Sequence, residues 1–269
     1  MKRERNVYLI SGAILVAVVT VFMLTGLFYT PYDSEAMDLA LKFAPPSFSH
    51  PFGCDQFGRD IFSRVLEGSG TTFLVAAGTL AIGGGLGTLL GLFTGYFGGW
   101  PDEILMRFND LVAAFPNILL ALIFISILGP GKYNVILALG VVFIPSFARI
   151  VRSEVIVHRD MDYVKSVRLM GGGHLRILFV HILPNIKATL FSALAIGFNN
   201  AVLSEAGMSY LGIGVQPPDA SIGRMMSEAQ AYIFAAPGSV LFPGLVMILM
   251  VLGFGLLSDG CSEVTSCWR

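Results

Sequence analysis

Residues 71–98 read TTFLVAAGTLAIGGGLGTLLGLFTGYFG, twenty-eight positions without a charged side chain. As an α-helix they extend about 42 Å, more than the ~30 Å hydrocarbon layer of a bilayer. Gly83, Gly87, Gly91 and Gly95 recur every fourth position, so on a helix they form one narrow stripe where another backbone can approach closely. Such a stripe serves helix packing, or alternatively a subunit or translocation interface. Read outward, the rest of the chain has the same character. It is 55% hydrophobic and only 13% charged, with a mean hydropathy of +0.75. That balance excludes an ordinary soluble domain. The net charge of −1 excludes a strongly basic nucleic-acid surface. Cys54, Cys261 and Cys267 are too few and scattered for a disulfide framework.

Five further segments meet or approach the ~20 apolar residues a crossing needs: 7–29, 111–128, 134–148, 188–213 and 239–257. The fold class expected is therefore an all-α membrane protein, a six-helix bundle. Lys2, Arg3 and Arg5 precede the first segment, which is too long for a signal-peptide core and reads as a retained anchor. Basic residues set the orientation. With the N-terminus inside, the inner side holds Lys2, Arg3, Arg5, Arg107, Arg149, Arg152, Arg159, Lys165, Arg168, Arg176, Lys187 and Arg269. The outer side holds only Lys42, Arg59, Arg64, Lys132 and Arg224. Both termini are expected in the cytoplasm. The chain divides into an anchor and outer loop (1–70), a transmembrane core (71–257) and a cytoplasmic tail (258–269).

The charged island 149–187 holds seven of the seventeen basic residues. Asp160-Met161-Asp162 is a helix start, Gly171-Gly172-Gly173 a break, and His174 to Leu183 a second amphipathic stretch ended by Pro184. Apolar residues on both arms, among them Val164, Leu169, Met170, Leu175 and Leu178, exceed what a solvated loop needs. Some of them face a partner or the membrane surface.

Within the island, Lys165-Ser166-Val167, then Gly171, then His181-Ile182-Leu183-Pro184 resembles the cytoplasmic signature loop of binding-protein-dependent ABC transporter permeases. The family's opening triplet is usually Glu-Ala-Ala, so Lys165, Ser166 and Val167 depart from it. The stretch from His50 to Arg64 is similar to the outer-loop motif of the dipeptide, oligopeptide and nickel branch, with Cys54 where threonine is usual. The stretch from Ala206 to Pro218 is similar to the end of the fifth helix of that branch's second, C-type subunit. The likeness runs from about Pro31 to Gly260.

The resemblance implies an importer of peptides, nickel or a metal chelate. This chain pairs with a second permease subunit and presents its elbow to one of two cytoplasmic ATPase subunits that bind ATP and Mg. A substrate-binding protein outside delivers the cargo, and the setting is a bacterial or archaeal inner membrane. No cofactor or metal is expected in the chain itself, which is not an enzyme: its only Gly-Lys pair, Gly131-Lys132, has Ser126 where a phosphate-binding loop needs its first glycine. The coupling contacts expected are Lys165, Ser166, Val167, Arg168 and Gly171, with Leu183 and Pro184 fixing the elbow's return.

Glu205, with Asn199 and Asn200, is the candidate for the pathway, because a carboxylate at membrane depth needs a partner or water. A hydrogen bond locking two helices is the alternative for it. His50, His158, His174 and His181 lack the spacing of a metal site. A secondary transporter is the competing function, although inverted repeats and broken helices carrying ion ligands are not apparent.

Overall fold

The computed structural model describes residues 2–266. Among them regular structure is helical, apart from one isolated bridge between Cys54 and Asp60. The helices are α1 (Lys2–Phe28), α2 (Ile61–Phe97), α3 (Gly99–Ala113), α4 (Asn117–Leu128), α5 (Lys132–Arg159), α6 (Asp162–Leu169), α7 (His174–Arg176), α8 (Lys187–Tyr210), α9 (Ile222–Ala229) and α10 (Gly238–Ser266). α7 runs on into a π-helical turn, Ile177–Ile182.

α1, α2, α5 and α10 are each long and apolar enough to cross a membrane, and two bent helix pairs pass the same test when each is taken together, which gives four to six candidate spans among the described residues. α3 and α4 meet at 89°, and the α7 arm meets α8 at 72°. The order of contacts fixes the directions. Gly12 packs on Leu257 and Gly260 on Leu9, so α1 and α10 run antiparallel and both ends of the chain share one face. Gly26 abuts Leu66, placing the start of α2 at the opposite face. α2 and α5 run parallel, because Gly83 meets Phe143, Gly91 meets Val151 and Gly95 meets Val155. Two parallel neighbours require a return crossing between them, which the α3–α4 pair supplies. Loop 160–186 lies at the end of the bundle that holds the termini, here the elbow end. Residues 29–60 and 211–237 cover the other, the cap end.

The glycine stripe is the seam of α2 on α5. A Cβ on Gly87 would stand 2.6 Å from Phe147 Cβ, and one on Gly91 2.6 Å from Ala148 O. No side chain larger than hydrogen fits while the backbones stay this close. Leu86, Leu89 and Phe93, on the other side of the same helix, are exposed as a lipid-facing surface requires. Aromatic and aliphatic side chains of α2, α5, α8 and α10 fill the core, with Phe198 stacked on Phe254 at 3.9 Å.

Several element boundaries depart from the apolar segments read in the sequence. α2 starts ten residues before Thr71, within the expected outer loop, because Asp60 caps it: Asp60 Oδ2 accepts from Ser63 N at 2.8 Å. The charges at Arg64 and Glu67 that hid this turn both have partners: Arg64 pairs with Asp55 and Glu228, and Glu67 accepts from Ser34 Oγ. The span 111–128 is not one helix, since α3 ends at Ala113 and Pro116 precedes α4. Proline restrains the residue before it away from helical geometry, and an apolar count does not register that. α5 runs on from the apolar segment 134–148 through Arg149 and Arg152 to Arg159, and α10 runs past the segment 239–257 to Ser266. Cys267 and Arg269 lie outside the described residues.

Candidate functional site

The elbow is built from its sequence punctuation. Asp162 opens α6 and Arg168 closes it, each matching the helix dipole. The helix stops in a Schellman motif: Gly172 N donates to Val167 O at 3.0 Å and Gly171 N to Arg168 O at 3.1 Å. Gly171 takes φ +77°, which L side chains rarely adopt. In the returning arm Leu183 N donates to Leu178 O at 2.8 Å, a five-residue step that widens the helix just before Pro184. The chain then turns through residues 184–186 into α8.

Val164, Ile177, Leu178 and Ile182 face inward and form a small second core with Leu92 and Tyr96 of α2 and Val151 and Val155 of α5. Leu169, Met170 and Leu175 point the other way, with Leu169 90% exposed. The apolar residues of the island thus divide into a socket that seats the elbow and a bare tip at its glycine turn.

Tyr96 joins the two arms. Its Oη accepts from Arg168 Nη2 at 3.5 Å, lies 2.9 Å from His174 Nδ1, and its ring sits 5.7 Å from the Arg168 guanidinium. His158 Nδ1 and Tyr163 Oη are 3.0 Å apart on the other flank. Burial raises the pKa of that phenol, outweighing the contact from Asn185, and keeps it protonated. At the base of the elbow α5 is strapped to α3 by a two-pronged bond from Arg152 to Asp102, 2.6 Å on each prong. Arg149 adds a 2.9 Å bond to Asp110, and Asn109 Nδ2 donates to Pro145 O at 3.1 Å.

Of the residues expected to make coupling contacts, Lys165, Ser166, Arg168 and Gly171 are exposed on the outward arm and Val167 is half-buried against it. Lys165 reaches Asp162 at 3.5 Å, and Ser166 Oγ bonds back to Asp162 O at 2.8 Å. Leu183 is half-buried and Pro184 exposed at the bend. Tyr96 and His174 were not among the expected site residues. Tyr96 ends the glycine stripe, one residue after Gly95, and that position was the available signal.

Glu205, Asn199 and Asn200 are not brought together. Glu205 is fully buried and accepts from Ser209 Oγ at 2.6 Å and from Thr72 Oγ1 at 2.9 Å. Thr72 Oγ1 in turn accepts from Ile222 N at 3.4 Å, and Ser209 Oγ from Val215 N at 3.0 Å. The carboxylate therefore pins α2, α8 and the start of α9 together, the locking alternative. Asn199 turns toward α10, its Nδ2 3.6 Å from where a Cβ on Gly255 would stand. Asn200 opens into a cleft between α4, α5 and α8 that it shares with Asn117 and Ser146. Each of those two follows a proline, Pro116 and Pro145, inside an apolar run. A polar residue after a mid-span proline was the signal sequence reading passed over.

At the cap end, Asp55 and Glu228 hold three arginines. Asp55 Oδ2 accepts from Arg59 Nε at 2.7 Å and Arg64 Nη1 at 2.8 Å. Glu228 Oε2 accepts from the same two residues at 3.0 and 3.2 Å, and Oε1 from Arg224 at 2.8 Å. Burial pushes the Glu228 pKa up, but Arg64, Arg224 and Arg59 outweigh it and hold the carboxyl below its ordinary value. Lys132 pairs with Asp219 at 2.5 Å. The bases of the cap are thus mostly neutralised where they stand.

Residues 87–264 match the family described as binding-protein-dependent transport system inner membrane component. The chain is 38% identical over 265 residues to the dipeptide transport system permease protein DppC of Alkalihalophilus pseudofirmus, covering 97% of this chain and 86% of that protein. It is 39% identical over 254 residues to the glutathione transport system permease protein GsiD of an Escherichia coli strain, covering 94% and 84%. A solved structure of the inward-facing MetNI methionine ABC transporter superposes with a TM-score of 0.55 at 19% identity, over 76% of this chain and 94% of that one. Fold and sequence agree: this chain, with its several apolar helices, belongs to the binding-protein-dependent transport system inner membrane component family of multi-pass membrane proteins.

Proposed function

We propose that this chain is one of two permease subunits of an ATP-driven importer in a bacterial cytoplasmic membrane, that its elbow docks on a separate ATPase, and that its cargo is a small peptide. The observation that carries the reading is the elbow itself. Its inner face is locked to α2 and α5, while Leu169, Met170 and Leu175 stand bare at a rigid glycine turn. An apolar tip on a rigid arm suits insertion into a groove of another protein. Lys165, Ser166, Val167, Arg168 and Gly171 frame the tip, and Leu183 with Pro184 sets the angle at which the arm returns to α8.

Nucleotide-driven closure of two ATPases would draw the elbows together, and α5 and α8 would carry the tilt into the bundle. The ATP and Mg belong to those ATPases. The elbow end, with the termini, is assigned to the cytoplasm by its excess of Lys and Arg. The cap end then receives a cargo-delivering protein. Peptide cargo is favoured over nickel by the dipeptide and glutathione relatives. Asn200 and its cleft form this chain's share of the pathway.

The reading is tested by replacing the native cysteines with serine, placing one cysteine at Leu169, and labelling intact cells with a membrane-impermeant thiol reagent. No labelling until the cells are opened, together with co-purification of ATPase chains, is the expected result. Labelling from outside overturns the assignment, and purification without an ATPase favours a secondary transporter.

A further inference from the structure

Halfway along α5 and α8 the bundle surface holds a cleft of about 90 Å³. Asn117, Ser146 and Asn200 project into it from three different helices, all exposed and none hydrogen-bonded to another described residue. Several polar side chains of the bundle are satisfied within the chain, whereas Thr79 Oγ1, Ser192 Oγ and Asn199 Oδ1 are buried singly without a partner among the described residues. Glu205 has Thr72 and Ser209, Asn109 has Pro145 O, and Ser126 Oγ bonds to Leu122 O at 2.7 Å. Three open hydrogen-bonding groups in one concavity, at a depth where lipid offers no partner, require something polar to meet them.

The lining says what kind of group that is. It contains no charged residue, and the walls are Phe143, Phe147, Ile150 and Ile196. Two amides and a hydroxyl offer donors and acceptors together, as a peptide bond does, whereas a metal ion or a carboxylate would meet no opposite charge. Apolar walls flanking a few convergent polar groups are the usual composition of a small-molecule site. The volume is that of about three waters, enough for one amide unit and not for a whole peptide.

We propose that Asn117, Ser146 and Asn200 form an uncharged subsite of the translocation pathway that transiently hydrogen-bonds the backbone amide of a passing peptide. This rests on the importer reading above and adds the residues and the chemical group they read.

The test uses the complete complex of both permeases, ATPases and delivery protein in vesicles, with Cys54, Cys261 and Cys267 replaced by serine in this chain. Asn200→Cys is expected to react with a water-soluble thiosulfonate about ten-fold faster than Leu252→Cys, which stands on the exposed face of α10, because lipid shields the latter. Saturating dialanine is expected to slow the reaction at position 200. Asn200→Leu is expected to lower dialanine uptake about ten-fold, and Asn200→Gln to restore at least about half, the loss corresponding to roughly one hydrogen bond. Reaction at position 200 no faster than at 252, or a disulfide-range cross-link from it to the second permease, overturns the proposal and assigns the cleft to subunit packing. Fast labelling that dialanine does not slow overturns the amide assignment. A wild-type complex that neither hydrolyses ATP nor imports dialanine would defeat the importer reading, and the labelling ratio would still decide whether the cleft is hydrated.

Discussion

Tyr96 Oη lies 2.9 Å from His174 Nδ1, so the last turn of α2 is bonded to the returning arm of the elbow across the glycine turn from α6. Arg168 Nη2 donates to the same oxygen, so one phenol ties α2 to both arms. Tyr96→Phe keeps the ring in its socket and removes only these bonds, a loss of about 1 kcal/mol. Membrane levels are expected to hold while cargo moved per ATP hydrolysed falls. The measurement is parallel uptake and ATPase assay on reconstituted complexes, and equal loss of both activities would show that Tyr96 only stabilises the fold.

Gly171→Val places a β-branched side chain at φ +77° although the space around it is open. The cost is backbone strain of about 1–3 kcal/mol, confined to the elbow tip. Transport is expected to drop well below wild type with membrane insertion nearly unchanged. Quantitative blotting of membranes beside an uptake assay separates the two.

The stripe on α2 gives a contrast within one helix. Gly91→Ala brings a Cβ to 2.6 Å from Ala148 O and 2.8 Å from Val151 Cβ, so α2 and α5 must separate. Overpacking of that kind costs about 1–3 kcal/mol. A Cβ at Gly85, on the same helix, meets nothing within 4 Å. Gly85→Ala is expected to be neutral or slightly stabilising, and thermal unfolding in detergent should order the pair.

Glu205→Leu leaves the Thr72 and Ser209 hydroxyls without their shared acceptor in a buried position. Each orphaned group costs about 1–3 kcal/mol, whereas Glu205→Gln keeps an acceptor for one of them. Folded yield is expected to fall in the order wild type, Gln, Leu. If Glu205→Leu folded normally but lost transport, the lock would not be its role.

The cap has its own pH dependence. Arg64, Arg224 and Arg59 hold the Glu228 carboxyl below its ordinary value of 4.5 despite burial. A depressed folded pKa gives stability that is fully present above the unfolded value and is lost as pH falls through the folded one. Limited proteolysis of residues 211–237 is therefore expected to stay flat from pH 7 to about 5 and to rise below about 4.5. In Glu228→Gln that acid-dependent step is expected to shrink.

Composition alone determined that the chain is a bundle of membrane-crossing helices, because burial in lipid demands long uncharged runs and these are visible without a structure. The glycine and proline punctuation of the elbow was equally legible: Gly171 and Pro184 act through local backbone geometry, which depends on the residues themselves. The seam was half legible, since the period of Gly83 to Gly95 announced a close approach without naming α5 as the partner. What the tertiary structure decided was pairing over distance. Arg64 looked like the end of a loop until Asp55 and Glu228, the latter 164 residues away, were found to neutralise it inside a helix. Glu205 and Asn200 are five positions apart on one helix, yet they face different neighbours, and one became a lock while the other opened into the cleft. The energy of a polar group in a membrane depends on what it meets, and only folding in three dimensions chooses that partner.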